Sequence, residues 1–385
     1  MAIRQSSKDI SPYVDALEQE IKLISKAVGK KRVLTQLHFG GGTPNFLNDI
    51  QLEQLIGTIT DQFSIDRAAE FAIEVDPRIF TDGTEQLLSK LGFNRYSLGI
   101  QDFDKQVQQA INRVQPFQLV RKVNEAFRRT NPKGINFDLI YGLPHQNLAS
   151  FARTLDLVVE LKPDRVAVYN FAYVPQIKPH QSRLPVNKFP SLEEKFELYL
   201  LAIEKLTHAG YRHIGMDHFA LEQDSLSKAQ AAGNLYRSFQ GYAVKRSTHL
   251  IGCGISAISK VGNVFAQNVR SLSQYTKYLS RQELPIEKGL VVDQDDQLRE
   301  WIIQTLMCNF ELKFSEFEAQ AGNTIDVLFP NEMVHLQDAV QLDLLTIDQD
   351  AIRLTENGRH FSRNIAVVFD RHRKHDQWNT FSKAV

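Results

Sequence analysis

The chain has 385 residues, of which 43% are apolar, and this is enough to bury the core of one large α/β unit with a smaller appendage. Lysine plus arginine and aspartate plus glutamate are equal at 45 each, so no net charge draws the protein to nucleic acid or to an anionic membrane surface. No apolar run approaches the ~18 residues of a membrane span, and residues 1–7 contain no apolar leader. These features predict a cytoplasmic protein with no membrane span and no nucleic-acid partner.

The chain has two cysteines, Cys253 and Cys308, which lie far apart in the sequence. Two thiols exclude a disulfide scaffold and any Cys₄ zinc site or Cys₃ iron–sulfur site built from this chain alone. Each cysteine lies among apolar or small residues, which is typical of a buried thiol. We therefore predict two buried thiols and no metal ligand within these residues.

Helical and strand patterns alternate through the first 220 residues. Apolar residues one helical turn apart predict a helix over Pro12–Val28, and the apolar run Val33–Phe39 predicts the first strand. Further strands are predicted at Glu70–Val75, Arg95–Ile100, Ile135–Tyr141, Arg165–Phe171 and Tyr211–Gly215. The intervening helices are predicted at Leu52–Phe63, Thr84–Leu91, Lys105–Ile111, Phe117–Arg129, Leu148–Leu161 and Leu192–Ala209. This alternation predicts an α/β fold with a parallel sheet, in the form of a partial (β/α)6 barrel whose active site lies at the carboxyl ends of the strands.

The pattern changes after residue 220. Helices are predicted at Leu298–Phe310, Phe314–Ala321, Met333–Val340 and Arg359–Phe369, and a small hairpin at Leu345–Ile347 and Ala351–Leu354. We therefore predict a partial barrel over residues 1–220, a connecting extension over 221–290 and a mostly helical C-terminal cap domain over 291–385. Helices beside a hairpin are also typical of a winged helix, but the balanced charge disfavours DNA binding.

The segment Gly40-Gly41-Gly42-Thr43-Pro44 directly follows the first predicted strand. Three glycines leave backbone N–H and C=O groups open to a polar small molecule, because no Cβ stands in the way. The same glycines could form only a tight turn. Ligand binding is favoured because polar residues also follow the other strands.

Glu74 and Asp76 end the second predicted strand. A carboxylate there can accept hydrogen bonds from ribose hydroxyls or from an ammonium group. It could also pair with Arg78 or Arg95, in which case its role would be structural.

The next strands end in a similar way. Gln101 follows the third strand, and Arg113 comes after the next helix, where it could clamp a carboxylate or lie at the surface. Asp138 lies inside the apolar fourth strand, where a charge is costly unless it is paired or functional. Ala172 follows the fifth strand and leaves room for a ligand. Together these residues predict a binding rim for a zwitterionic, hydroxyl-bearing molecule.

The segment Gly252-Cys253-Gly254-Ile255-Ser256-Ala257 has the outline of a dinucleotide-binding fingerprint. It lies outside any predicted βαβ unit and lacks the downstream acidic residue, so we do not predict a Rossmann fold.

These motifs resemble the oxygen-independent coproporphyrinogen III oxidases (dehydrogenases), which are radical S-adenosylmethionine enzymes of haem biosynthesis. The strand-end motifs mark the wider superfamily, whereas Gly215–Ala220 and Phe239–Tyr242 indicate this branch. The similarity extends along the chain through Tyr13–Ile21, Gly40–Pro44, Ile73–Arg78, Gly99–Phe103, Asn136–Pro144, Gly215–Ala220, Phe239–Tyr242 and Gly252–Ser259.

The resemblance implies a radical-SAM barrel that converts coproporphyrinogen III propionates into vinyl groups. It further implies two S-adenosylmethionine molecules, a [4Fe–4S] cluster, an electron donor or acceptor and a monomeric enzyme. Carried over residue by residue, the S-adenosylmethionine contacts fall on Gly41, Gly42, Thr43, Glu74, Gln101, Arg113, Asp138, Ala172 and Ile258.

The resemblance also implies a Cys-x-x-x-Cys-x-x-Cys loop, placed after a first barrel strand and ahead of the helix that begins near Ser11. This motif does not occur in the 385 residues. The expectation is therefore a barrel that lacks its first strand, so that the Val33–Phe39 edge is unpaired and prone to aggregation unless it is covered. Three origins stay open: a shortened gene product, a start assigned too late, or a catalytically silent homologue that binds S-adenosylmethionine or porphyrin.

Overall fold

The structure is a computed structural model that describes residues 10–29, 32–238, 241–244 and 249–372. Phe239 and Gln240, which belong to one of the family segments, lie outside the described residues. The chain divides into two compact units. The first contains Met1–Gly99, Gln118–Asn136 and Ser247–Val292, and the second contains Ile100–Phe117, Phe137–Arg246 and Asp293–Val385.

The largest sheet has seven strands in the order β1-β2-β3-β4-β5-β7-β6. Its strands are β1 (Val33–Phe39), β2 (Ser64–Val75), β3 (Arg95–Gln101), β4 (Gly134–Tyr141), β5 (Arg165–Asn170), β6 (Tyr211–Gly215) and β7 (His218–Leu221). β1 pairs in parallel with β2, and β2 pairs in parallel with β3. The predicted α/β barrel fold, with a parallel sheet as its basis, is confirmed.

The far end of this sheet departs from the predicted parallel pattern. β6 forms where it was predicted, but β7 was missed, and β7 runs antiparallel to both β5 and β6. The cause is the tight turn at Met216-Asp217, where Met216 has a φ of +47° and Gly215 pairs with His218. A two-residue turn returns the chain as a hairpin, whereas a parallel connection needs a long crossover.

Helices connect most of the strands. They are α1 (Ile10–Val28), α2 (Asp49–Gln62), α3 (Thr84–Lys90), α4 (Lys105–Ala110), α5 (Phe117–Arg129), α6 (Leu148–Leu161), α7 (Leu192–His208) and α8 (Ser225–Ala231). Asn48, Asn147 and Ser191 form capping boxes that fix the starts of α2, α6 and α7. Among the described residues, no helix is both long and apolar enough to cross a bilayer.

A second sheet in the first unit was not predicted. It is antiparallel, with the strands β10 (His249–Leu250), β11 (Ile258–Val261), β12 (Val264–Asn268) and β13 (Ile286–Val291), and helix α9 (Leu272–Ser280) lies between β12 and β13. Every residue of β13 is exposed, so this strand has no apolar alternation by which the sequence could reveal it. A separate pair, β8 (Tyr236–Ser238) and β9 (Gly241–Ala243), belongs to the second unit.

A buried carboxylate connects α1 to this second sheet. Glu20 is 1% exposed and accepts hydrogen bonds from Gly254 N (2.7 Å), Asn268 Nδ2 (2.6 Å) and Tyr275 Oη (2.5 Å). Burial raises the pKa of the Glu20 carboxyl. The bond from Gly254 N fixes the Gly252–Ala257 loop to Glu20. This loop joins two strands, whereas a dinucleotide fingerprint joins a strand to a helix.

The C-terminal part of the second unit is mostly helical, as predicted. It contains α10 (Gln294–Asn309), β14 (Glu311–Lys313), α11 (Phe314–Ala321), α12 (Ile325–Leu328), α13 (Pro330–Gln341), β15 (Leu345–Ile347), β16 (Ala351–Leu354), α14 (Glu356–His360) and α15 (Ser362–Ala366). The predicted hairpin is confirmed as β15 and β16, and β14 pairs with β16 as a third strand. The single helix predicted at Arg359–Phe369 is wrong, because the chain forms two short helices and a 3₁₀ turn there.

The residues of β4 alternate between two environments. Ile135, Phe137, Leu139 and Tyr141 are fully buried. Asn136 and Asp138 point to the opposite and less buried face. Because side chains alternate along a strand, this pattern places Asp138 on the polar face and leaves the apolar face for packing.

Candidate cofactor site

The glycine segment after β1 adopts a backbone that only glycine takes without strain. Gly41 has a φ of +75° and Gly42 a φ of +107°, and the space where their Cβ atoms would stand is open. Gly41 N donates a hydrogen bond to Glu74 Oε2 (3.2 Å), and His38 Nε2 lies 3.4 Å from Glu74 Oε1. A Cβ on Gly40 would lie 2.6 Å from that same carboxylate oxygen. The structure thus brings together Gly41 and Glu74, with Thr43 directly after the glycines.

Asp76, in contrast, has a structural role. Arg78 forms a bidentate salt bridge with the Asp76 carboxylate, with Nη2 2.6 Å from Oδ2 and Nε 3.0 Å from Oδ1. Asn45 and Asp76 also exchange hydrogen bonds, from Asp76 N to Asn45 Oδ1 (2.9 Å) and from Asn45 Nδ2 to Asp76 O (3.1 Å). The structural pairing that the sequence left open therefore applies to Asp76. Glu74, which is 41% exposed, stays available to a ligand.

Gln101 ends β3 in an unusual conformation. Its φ is +68°, in the left-handed region that side chains other than glycine seldom adopt. Its Oε1 atom is buried and has no hydrogen-bond partner among the described residues. Strained backbone and an unsatisfied buried acceptor are both more frequent at functional sites than elsewhere.

The neighbouring Asp102 is completely buried and fully hydrogen-bonded. Its carboxylate accepts hydrogen bonds from Gln146 Nε2 (2.5 Å), Thr154 Oγ1 (2.8 Å) and Asp104 N (2.6 Å). Burial raises the pKa of Asp102. Gln146 Oε1 in turn accepts from Gly142 N (2.6 Å), so Asp102 holds the turn that ends β4.

Two more buried glutamines fix the segment that carries Arg113. Gln108 Nε2 donates to Asp102 O and Gln115 O, each at 2.9 Å, and Gln115 Nε2 donates to Ile100 O (2.5 Å). This network joins the segments of Gln101 and Arg113. Sequence reasoning missed these glutamines because contacts from a side-chain amide to the backbone carry no periodic signal.

The other predicted residues lie on separate elements. Ala172 follows β5, and its carbonyl oxygen accepts a hydrogen bond from the buried Gln181 (3.0 Å). Ile258 begins β11 in the first unit and pairs with Gln267 of β12. A Cβ on Gly252 would stand 2.5 Å from Ile258 O, so the loop approaches β11 closely.

The residues of this chain do not fit a [4Fe–4S] cluster. The chain has two cysteines, and the part of it that the structure describes contains no group of three or more His, Cys, Asp and Glu side chains that could hold a metal ion. Cys308 is buried, as predicted, but Cys253 is exposed. The prediction of a buried residue at position 253 was wrong, although desolvation still raises the pKa of the Cys253 thiol above its usual value.

Family models match two parts of the chain. The model of the radical SAM superfamily matches residues 4–158. The model of the HemN C-terminal domain matches residues 292–361.

Relatives match almost the entire chain. Oxygen-independent coproporphyrinogen III oxidase from Synechocystis sp. is 42% identical, over 100% of this chain and 83% of its own length. The enzyme of the same name from Pseudomonas aeruginosa is 40% identical, over 97% of this chain and 82% of its length. A solved structure, described as coproporphyrinogen III oxidase (HemN) from Escherichia coli and as a radical SAM enzyme, matches with a TM-score of 0.94 and 39% identity, over 97% of this chain and 86% of that one. This chain belongs to the oxygen-independent coproporphyrinogen III oxidase family of the radical SAM superfamily.

Proposed function

We propose that this chain acts in the oxidative decarboxylation of coproporphyrinogen III, in which propionate side chains become the vinyl groups of protoporphyrinogen IX. Each conversion removes one hydrogen atom and one electron from a propionate and releases CO₂. The observation that carries the proposal is the glycine segment, in which Gly41 and Gly42 are held open and Gly41 bonds to Glu74.

S-adenosylmethionine, when bound, supplies the hydrogen-abstracting chemistry. The glycines offer backbone N–H and C=O groups without steric obstruction, and Glu74 offers carboxylate oxygens to an ammonium or hydroxyl group. We assign the remaining contacts to Thr43, Gln101, Arg113, Asp138, Ala172 and Ile258. The unsatisfied Oε1 of Gln101 supports its place in this set. The two cysteines of this chain do not supply the ligands of an iron–sulfur cluster.

We also propose an oligomeric state, a compartment and a redox partner for this protein. We propose a monomer in the cytoplasm that exchanges electrons with a separate donor or acceptor. The low cysteine content, two residues far apart in the sequence, supports a compartment in which the fold does not depend on disulfides. Light scattering of the purified chain gives its mass, and a dimer would contradict the monomer.

Asp138 gives the sharpest test of the cofactor site. If its carboxylate binds S-adenosylmethionine, Asp138→Asn should weaken binding by about 1.5–3 kcal/mol, the usual range for a charge-assisted hydrogen bond. Titration calorimetry with S-adenosylmethionine measures this change directly.

The matched control is Asp82→Asn, which makes the same chemical change at a side chain that is 86% exposed and paired with Lys122 at 2.8 Å. It should leave the affinity unchanged. A dissociation constant for Asp138→Asn within twofold of the wild-type value would remove Asp138 from the site. A wild-type chain that binds neither S-adenosylmethionine nor coproporphyrin III would contradict the proposed function as a whole.

A further inference from the structure

Among the buried polar atoms of the second unit that have no hydrogen-bond partner within the described residues, three lie near Asp217. They are Arg237 Nη1, His218 Nδ1 and Tyr141 Oη. Asp217 acts electrostatically on Tyr141, and Arg237 acts on both Asp217 and His218, so the four side chains share one neighbourhood. We call them the Asp217 cluster. Buried polar groups in native proteins almost always have partners, and several without one at the same place mark a position that water, an ion or a polar ligand can complete.

Arg237 is the charged member of the cluster, and its position is fixed. The side-chain amide of Gln304 forms two hydrogen bonds with the backbone of Arg237. Arg237 N donates to Gln304 Oε1 (3.1 Å), and Gln304 Nε2 donates to Arg237 O (2.7 Å). The guanidinium carbon lies 4.8 Å from the centre of the Tyr242 ring, whose hydroxyl donates to Met307 O (3.0 Å). The guanidinium is thus held against Tyr242, and its Nη1 atom is left without a hydrogen-bond partner among the described residues.

The charge of Arg237 is only partly offset by its neighbours. The part of the chain that the structure describes places no carboxylate oxygen within ion-pair distance of its guanidinium. Asp217 interacts with Arg237 electrostatically, and burial raises the pKa of Asp217 to about 6. Burial, with the positive charge of Arg237, lowers the pKa of His218 to about 3, so this ring is neutral at pH 7. Arg237 is half-buried with its Nη1 atom out of contact with water, and a carboxylate is the group that best offsets the cost of that desolvation.

We propose that Arg237 binds a carboxylate of a bound ligand, with Tyr141 and His218 as neighbouring donors. This inference rests on the proposed function, which supplies two carboxylate-bearing molecules. One source is a propionate of the porphyrinogen, and the other is the amino-acid carboxylate of S-adenosylmethionine. Tyr169, which is 38% exposed and lies edge-on to the His218 ring at 5.9 Å, shows that the cluster borders the surface of its unit.

The experiment compares each acid with an analogue that lacks its carboxylate. Arg237→Gln is titrated with coproporphyrin III, followed by porphyrin fluorescence, and with the tetramethyl ester of coproporphyrin III. It is also titrated with S-adenosylmethionine and with decarboxylated S-adenosylmethionine, followed by calorimetry. We expect at least a tenfold weaker affinity for coproporphyrin III and no change for its ester.

The alternative source gives a different pattern, in which S-adenosylmethionine binding weakens and decarboxylated S-adenosylmethionine binding does not. That pattern also supports carboxylate binding by Arg237. Equal losses for acid and analogue, or no loss at all, would overturn the proposal. If the wild-type chain binds neither acid, the proposed function fails first, and this outcome is distinct from unchanged binding in the variant.

Two further variants separate binding from folding. Arg237→Lys keeps the charge and loses the planar donors, so it should restore part of the lost affinity for the acid. Arg212→Gln is the matched control, because Arg212 is an exposed arginine of the same unit and pairs with Glu222 (2.7 Å). It should bind all four molecules as the wild type does. Thermal unfolding of each variant identifies any that fails to fold, and Arg237→Lys then carries the test.

Discussion

Acidification from pH 7 to pH 5 should destabilise the second unit through two partly buried histidines, His213 and His218. Burial lowers the pKa of His213 from 6.5 to about 4 and that of His218 from 6.5 to about 3. The unfolded chain therefore binds protons at pH 5 that the folded chain does not. A depressed folded pKa gives stability that is present above pH 6.5 and is lost as the pH falls.

The size of this effect follows from the unfolded pKa. At pH 5 the pH is 1.5 units below the unfolded pKa of 6.5. Protonation of each histidine in the unfolded chain therefore lowers the free energy of unfolding by about 2 kcal/mol, and the two together lower it by about 4 kcal/mol. Asp217 acts in the opposite direction, because burial raises its pKa from 3.8 to about 6. Its contribution is lost as the pH rises through 6, and acidification to pH 5 returns about 1.4 kcal/mol. For His213, His218 and Asp217 taken together, the histidine contributions are larger, and these three groups lower the stability by about 2–3 kcal/mol.

His218→Gln isolates one histidine. The variant should lose about 2 kcal/mol less than the wild type between pH 7 and pH 5, in urea unfolding followed by circular dichroism. His208→Gln is the control, because His208 lies exposed at the end of α7 and should leave the difference unchanged. The same pH sensitivity in His218→Gln as in the wild type would refute the burial argument.

One position in each unit tests its packing, Gly358 in the second unit and Glu20 in the first. Gly358→Ala places a Cβ 1.7 Å from Leu344 O, a contact that requires the backbone to move. It should destabilise the C-terminal part by more than about 3 kcal/mol, measured by urea unfolding, and a loss below 1 kcal/mol would show that the loop yields easily. Glu20→Ala leaves three donors, among them Gly254 N, without an acceptor and should cost about 3–5 kcal/mol, whereas Glu20→Gln keeps an acceptor and should cost less. Equal losses in the two variants would show that shape outweighs hydrogen bonding at this position.

The predictions from the sequence were most accurate for elements whose apolar residues repeat regularly. The bounds of β1, α5, α6 and α11 match the prediction residue for residue, because an apolar stripe and clear end signals coincide in each. The sheet β10–β13 was missed because its strands are short or exposed. β7 was missed because a two-residue turn, with no glycine inside it, reverses the chain at Met216.

The candidate site shows the same limit. Glu74 and Asp76 stand two residues apart at one strand end, and their residue types alone do not distinguish ligand binding from a structural pair. The two residues are distinguished by their partners. Arg78 forms a salt bridge with Asp76, whereas Gly41 N donates a hydrogen bond to Glu74. Such assignments depend on side-chain reach across the fold, which periodicity does not encode.

The buried polar groups of this protein fall into two classes. Glu20 and Asp102 have raised pKa values because they are buried, yet each carboxylate is satisfied by three donors, and each fixes a loop near a predicted site residue. Gln101 and Arg237 carry buried atoms that the described residues leave unsatisfied. Folding alone would select against such atoms, since water solvates them better than the protein interior does. We propose that a ligand completes the hydrogen bonds of Gln101 and Arg237, so that the unsatisfied atoms, rather than the most buried charges, are the positions to test for ligand binding.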